Sequence, residues 1–195
     1  MSGYTIPNVI ARDSRGERIM DVYSHLLAER IVYLGTAIDS GVANALIAQF
    51  LYLEADNPER DIQFYINCEG GDPSAMLAVY DTLRYIRPPV ATTCVGQAVA
   101  VGAVLLAAGT PGKRAALPHT RVILHQPAAQ GRGAIPDLIL QADEVVRIRS
   151  DLEDILSRHT GQTVETLRAD TDHDRIFTAR GAKDYGLIDN VIEQR

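Results

Sequence analysis

The stretch Val90–Gly109, VATTCVGQAVAVGAVLLAAG, decides the fold. Its opening VATTCVG is apolar and β-branched, the composition of a buried strand, and its closing AVLLAAG reads as a short helix buried all round. Between them lies Gly96–Gly102, GQAVAVG, a glycine-flanked junction from strand to helix. Hydrolases often present a nucleophile at such a junction. Here it carries Ala98, Val99, Ala100 and Val101, none of which can attack anything.

The same unit occurs upstream. DIQFYINC at 61–68 reads as a strand, Gly70-Gly71-Asp72-Pro73 as a turn, and SAMLAVYDTLRYI as a helix. Ser74 reads as the capping hydroxyl of that helix. Further out, DVYSHLLAER at 21–30 suggests a helix and IVYLG at 31–35 a strand. Asp39-Ser40 would cap an amphipathic helix through Val42, Leu46, Ile47, Phe50, Leu51 and Leu53. RVILH at 121–125 adds a strand, TVETLRADT and TARGAKDYG add short helices, and IDNVIE a last strand. Strands alternating with helices at these lengths predict a single α/β domain with a mostly parallel sheet. Residues 1–20 form a separate arm or small hairpin, and the domain runs over 21–195.

Residues 137–158 are the longest helix candidate. Leu138, Val145, Ile148, Leu152 and Ile155 form a heptad-like seam on it. With the glycine-bearing AAQGRGAIP before it, this segment could project as a handle (about 126–158) and pair with another copy. The seam could equally pack on the chain's own sheet.

With 195 residues, 46% of them hydrophobic, the chain can bury a sizeable core. The net charge of −6 is spread among mixed signs, so no basic face points to nucleic acid. No apolar run approaches the ~18 residues of a membrane span, and no leader-like segment opens the chain. Cys68 and Cys94 lack metal or redox spacing and read as buried thiols of a reducing compartment. A cytoplasmic protein is the expectation.

Three features could carry chemistry. His125 ends a strand, at the edge where parallel sheets gather active sites, although a hydrogen-bonded structural histidine reads the same way. Asp170, Asp172 and Asp174 surround His173 in DTDHDR, as do many solvated caps; no metal site follows from so loose a pattern. Gly70-Gly71 before a helix offers bare amides to an oxyanion or phosphate, or simply makes a tight turn.

Read together, the segments YIN..GG, YDTL, GQA...GAVLLAAG, KR.ALPH, ILHQP, HTGQ and DRIFTARGAKDYGLID resemble the proteolytic subunits of the Clp protease, the ClpP family, over almost the whole chain. The resemblance implies a crotonase-like α/β fold and a serine peptidase. It also implies two stacked heptamers enclosing a chamber, fed with unfolded polypeptide by an AAA+ unfoldase of the ClpX, ClpA or ClpC type. The subunit itself uses no cofactor or metal, and ATP is spent by the partner. Carried over by motif, the base falls on His125, the orienting carboxylate on Asp174 and the oxyanion amides on Gly71 and Val101. The nucleophilic serine falls on Ala100. The chain as written should therefore not cut peptides. Ser74, Thr92 and Cys94 are poor substitutes. The reading favours an introduced Ser→Ala change in an otherwise complete site; a naturally silent subunit of a mixed ring is the alternative. An acyl-CoA enzyme of the crotonase type shares the fold but has no need of ILHQP or DRIFTARGAKDYGLID.

Other departures concern partners. Val99 and Val101 mark a divergent paralogue. The substrate-aligning strand of the family falls on Ala128–Gly133, where Arg132 and Pro136 are unusual. The ATPase-docking pocket falls on Leu51, Gln63, Tyr65, Tyr85, Ala115 and Ile192; Gln63 and Ala115 replace customary aromatics, which would weaken docking. The ring-to-ring contact falls on Asp172 and His173, and a histidine there would make that contact pH-sensitive. The arm with Ile6-Pro7 and RDSRGER matches the axial loop.

Overall fold

The computed structural model describes residues 5–13, 16–127 and 133–193. Its centre is a mainly parallel sheet ordered β3-β4-β5-β6-β9, built from β3 (Ile31–Leu34), β4 (Ile62–Cys68), β5 (Val90–Val99), β6 (Arg114–Ala116) and β9 (Asn190–Val191). All four of these pairings are parallel. The crossovers are α2 (Ser40–Asp56), α3 (Pro73–Tyr85) and α4 (Val101–Ala107). Ile62, Phe64, Ile66 and Cys68 alternate with half-buried residues along β4, so one face of that strand is core. Phe50 on α2 meets Phe64 edge to face with centroids 5.2 Å apart.

Asp39 accepts from Val42 N–H and caps α2, as expected. Helix α3 is capped by Asp72, which accepts from Ala75 N–H, and Ser74 lies inside its first turn. The proline at the first helical position makes the preceding residue the cap. This corrects the assignment of the cap to Ser74.

The central stretch also differs from its sequence reading. Strand β5 does not stop at Gly96 but runs on to Val99. Its register on β4 shifts between Ile66↔Cys94 and Cys68↔Ala98. Gly96 sits at this irregularity with φ 91°, and a Cβ there would lie 2.8 Å from Asn67 Oδ1. The glycine therefore bends the strand rather than opening a turn. Before the bend β5 pairs with β6; after it, Gln97–Val99 pair with β7 (Arg121–Leu124). Strand β8 (Arg175–Thr178) adds antiparallel to β7. Neither β6 nor β8 has enough apolar length to stand out in the sequence.

The first twenty residues include a hairpin, β1 (Asn8–Asp13) with β2 (Gly16–Asp21), followed by α1 (Val22–Ala28). The long helix α5 spans Ile135–Thr160 and is followed by α6 (Val164–Asp170) and α7 (Ala179–Tyr185). On α5, Ile148, Leu152, Ile155 and Leu156 are buried, while Leu138 and Ile139 are exposed. The seam thus packs on its own domain over one half only. The expected substrate-aligning strand, including Arg132, lies mostly outside the described residues; Gly133 and Pro136 precede and open α5.

Candidate active site

Strand β5 ends at Val99, and the next residue, Ala100, has φ 48° and ψ −107° and takes the N-cap place of α4 without a capping hydrogen bond. A non-glycine residue held at positive φ is strained by roughly 1–3 kcal/mol and persists only where its surroundings enforce it. Here they do: Ala100 N–H donates to Ile123 O at 2.8 Å, and Ala100 O accepts from Ala103 and Val104 N–H. Gly102 allows the helix to follow at once, because a Cβ there would lie 2.9 Å from Cys68 Cβ.

Gly71 approaches from β4. It forms a parallel bridge with Ile38, in which Ile38 N–H donates to Gly70 O and Asp72 N–H to Ile38 O. Those bonds occupy the peptide groups beside Gly71 and turn its own N–H away from Ile38. With φ 135°, and Ile38 O only 2.2 Å from where a Cβ would stand, no other residue fits there.

His125 follows β7, and its Nδ1 lies 3.7 Å from Asp174 Oδ1, beyond hydrogen-bonding distance. Asp174 lies just before β8, whose antiparallel register sets Arg175 opposite Leu124. Gln126 N–H also donates to Thr171 O at 3.3 Å. The missed strand β8 is thus what delivers the acid to the histidine.

One cleft of about 200 Å³ unites Gly71, Ala100, Val101 and His125. Its far wall is apolar, with Val104, Leu124, Leu152, Leu156 and Leu167, and includes Thr171, Arg149 and Glu153. A shallower cleft beside it contains His125, Asp172, His173 and Asp174. Asp170 belongs elsewhere: it accepts from Tyr185 Oη at 2.6 Å and pairs with Arg175. Among the described residues no cluster of His, Cys, Asp or Glu could hold a metal ion. None of Ser74, Thr92 and Cys94 lines the Ala100 cleft. Thr92 Oγ1 donates to Leu106 O at 2.7 Å, and burial pushes the Cys94 thiol up to about 12. Ser74 is exposed on α3.

The Clp protease family profile matches residues 14–195. The chain is 71% identical to the ATP-dependent Clp protease proteolytic subunit 1 of Nocardia farcinica, over the full length of both. It is 59% identical to subunit 4 of Rhodococcus jostii, covering 98% of this chain and 99% of the relative. Identity to subunit 2 of Streptomyces avermitilis is 55%. The chain belongs to the Clp protease family. Its α/β fold agrees with that membership.

The docking positions carried over from the family do not form one compact group on a single element. In the sheet register Tyr65 and Ala115 lie opposite Thr93 from its two sides, so all three share one row. Leu51 and Tyr85 are exposed on α2 and α3, and Ile192 follows β9. Ala115 is buried. Asp172 and His173 are both exposed, and Asp172 Oδ1 lies 3.5 Å from Arg149 Nη2 of its own chain. Arg149 and Glu153 gave no sequence signal, since charges on a long helix look like a solvated face. Among the described residues no helix is long and apolar enough to cross a membrane.

Proposed function

We propose that the chain is a proteolytic-type subunit of a compartmentalised ATP-dependent Clp serine protease, with alanine in the nucleophile position. The observation that carries this is Ala100, a methyl side chain held in a strained strand-to-helix turn, in one cleft with His125 and Gly71. Strain of this kind serves to aim a side chain.

A serine at position 100 would give its proton to His125 as it attacked a peptide carbonyl. Asp174 would orient the imidazole and stabilise its charge. The amides of Gly71 and Val101 would receive the oxyanion, at roughly 3 kcal/mol per donor in comparable sites. The apolar wall would take the side chain before the cut bond. With Ala100, His125 has no proton to remove at that position. Loss of a triad serine costs on the order of 10⁶ in turnover in a comparable enzyme, so the chain itself is inactive. The completeness of the rest supports a Ser→Ala replacement in a competent site over a long-silent wall subunit.

The assembly belongs to the same proposal: stacked heptamers, docked by an AAA+ unfoldase in the cytoplasm and degrading unfolded polypeptides. Docking uses the face around Leu51, Gln63, Tyr65, Tyr85, Ala115 and Ile192, and the two rings meet near Asp172 and His173. The deciding experiment is fluorophosphonate labelling of Ala100→Ser, alone and mixed with a Clp proteolytic relative, read by intact mass. One adduct per chain supports the reading. Absence of an adduct in assembled particles of both kinds overturns it in favour of a silent wall subunit.

A further inference from the structure

Glu153 is the most deeply buried acid in the described chain, 4% exposed, and it lines the cleft wall. It accepts from Arg149 Nε at 2.8 Å and from Arg168 Nη2 at 2.7 Å. Although burial works the other way, the two guanidinium groups hold its carboxyl below the usual carboxylate range. Glu153 therefore joins α5 to α6 through Arg168 and fixes the direction in which Arg149 points.

Arg149 is left with one demand. Its Nη2 is buried and has no hydrogen-bond partner, and Asp172 Oδ1 stands 3.5 Å away. An unmet buried donor costs about 1–3 kcal/mol, so the arrangement pulls Asp172 toward α5. Asp172 lies in the short loop that ends with Asp174. That loop is tied at Thr171 to Gln126 and at Arg175 to Leu124, the two neighbours of His125. Between those ties, Asp172 is where α5 takes hold of it.

We propose that Arg149, fixed on Glu153, is a positioning residue that sets Asp174 against His125 by holding Asp172. This rests on the reading of His125 and Asp174 as base and orienting acid. Arg149 touches neither of them in the structure and acts through the loop. The His125–Asp174 gap and the Arg149–Asp172 gap lie on the same loop, so one small movement of it toward the cleft can close both.

The test is made first on the chain as it stands, with Ala100. Magic-angle-spinning ¹⁵N spectra of histidine-labelled protein, assigned with His125→Asn, report which ring nitrogen of neutral His125 carries hydrogen. Asp174→Asn gives the pattern of an unheld ring. Arg149→Met is expected to give that same pattern, and Arg149→Lys to recover part of the original. Arg168→Met is the control: it removes the other cation from Glu153, and because Arg168 meets Asp172 only through its more distant charge, it should change His125 clearly less than Arg149→Met at a comparable loss of stability. An unchanged ring in Arg149→Met overturns the proposal, as does an equal change in Arg168→Met, or no change in Asp174→Asn.

In the Ala100→Ser background, Arg149→Met should lower kcat by roughly ten- to a hundredfold, the scale of a small misplacement of catalytic groups, with KM within about twofold. A rise in KM alone would make Arg149 merely a wall of the cleft. Should Ala100→Ser prove inert, the protease reading fails while the ring pattern still decides the role of Arg149.

Discussion

From Ile148 to Leu156, α5 buries four apolar side chains in the domain and answers its one buried acid with two arginines. In its first half, Ile135, Ile139, Leu140 and Val146 are 57–75% exposed on the same helix. Both halves are rich in aliphatics, so composition does not separate them. The difference lies in what is beside them: Leu152 and Leu156 share the cleft with Val104 of α4 and Leu167 of α6, whereas the first-half aliphatics stand exposed. An apolar seam shows that a face needs covering and leaves open by what. Monomeric soluble proteins rarely leave so much of one helix uncovered, which fits the stacked-ring assembly proposed above.

The sharpest way to break this comparison is one truncation in each half. Leu152→Ala removes a buried side chain beside the cleft and should cost about 2–5 kcal/mol in denaturant unfolding. Ile139→Ser should change the stability of the isolated chain by less than about 0.5 kcal/mol. The same substitution should shift native mass spectra from the assembled particle toward smaller species. Equal losses of chain stability would show that the first half packs on its own domain after all.

The C-terminal end of α5 carries a half-buried histidine whose protonation opposes folding. His159 Nε2 lies 3.1 Å from Tyr80 Oη. Burial, followed by the charges of Arg84, Arg114 and Arg158, brings His159 down to about 4 from its ordinary 6.5. The unfolded chain therefore takes up the proton first, so stability is lost as pH falls from 6.5 toward 4. Because the ring is only partly buried, the effect is discounted to on the order of 1 kcal/mol, or about 2–4 °C in Tm. His159→Gln should remove that part of the slope, and a slope identical to the unsubstituted protein would assign acid sensitivity to the carboxylates alone.

Sequence and structure part company at specific places. The alternation of strands and helices was legible because each apolar run matched the period of its element. Ala100, Val101, His125 and Gly71 were legible as a set only through the family resemblance; read from the residues alone, His125 and Gly71 each kept a structural alternative, and Ala100 and Val101 carried no reactive group. The bend at Gly96 was not, since the sequence on either side reads as one strand, and the glycine is explained only in the fold, by its φ of 91° and the neighbouring Asn67 side chain. Strand β8 was hidden by its length, four residues with one buried. The Arg149–Glu153–Arg168 group was hidden for another reason: its members are charged residues on two helices, and only the cleft between the helices makes them a unit.

A difference of sign concerns the residue on which the site turns. Glycine in place of alanine costs roughly 0.5–1 kcal/mol in an ordinary helix, through the extra freedom of the unfolded chain. Ala142→Gly, on the exposed half of α5, should show that loss. At Ala100 the same change also releases backbone strain of about 1–3 kcal/mol, because φ 48° with ψ −107° is open to glycine and awkward for any side chain. The balance runs from about zero to a gain of about 2.5 kcal/mol, against the plain loss at Ala142→Gly. Matched denaturant curves read the difference directly. Two losses of equal size would mean that Ala100 is not strained in the folded chain, and the argument that this turn was shaped to aim a nucleophile would go with it.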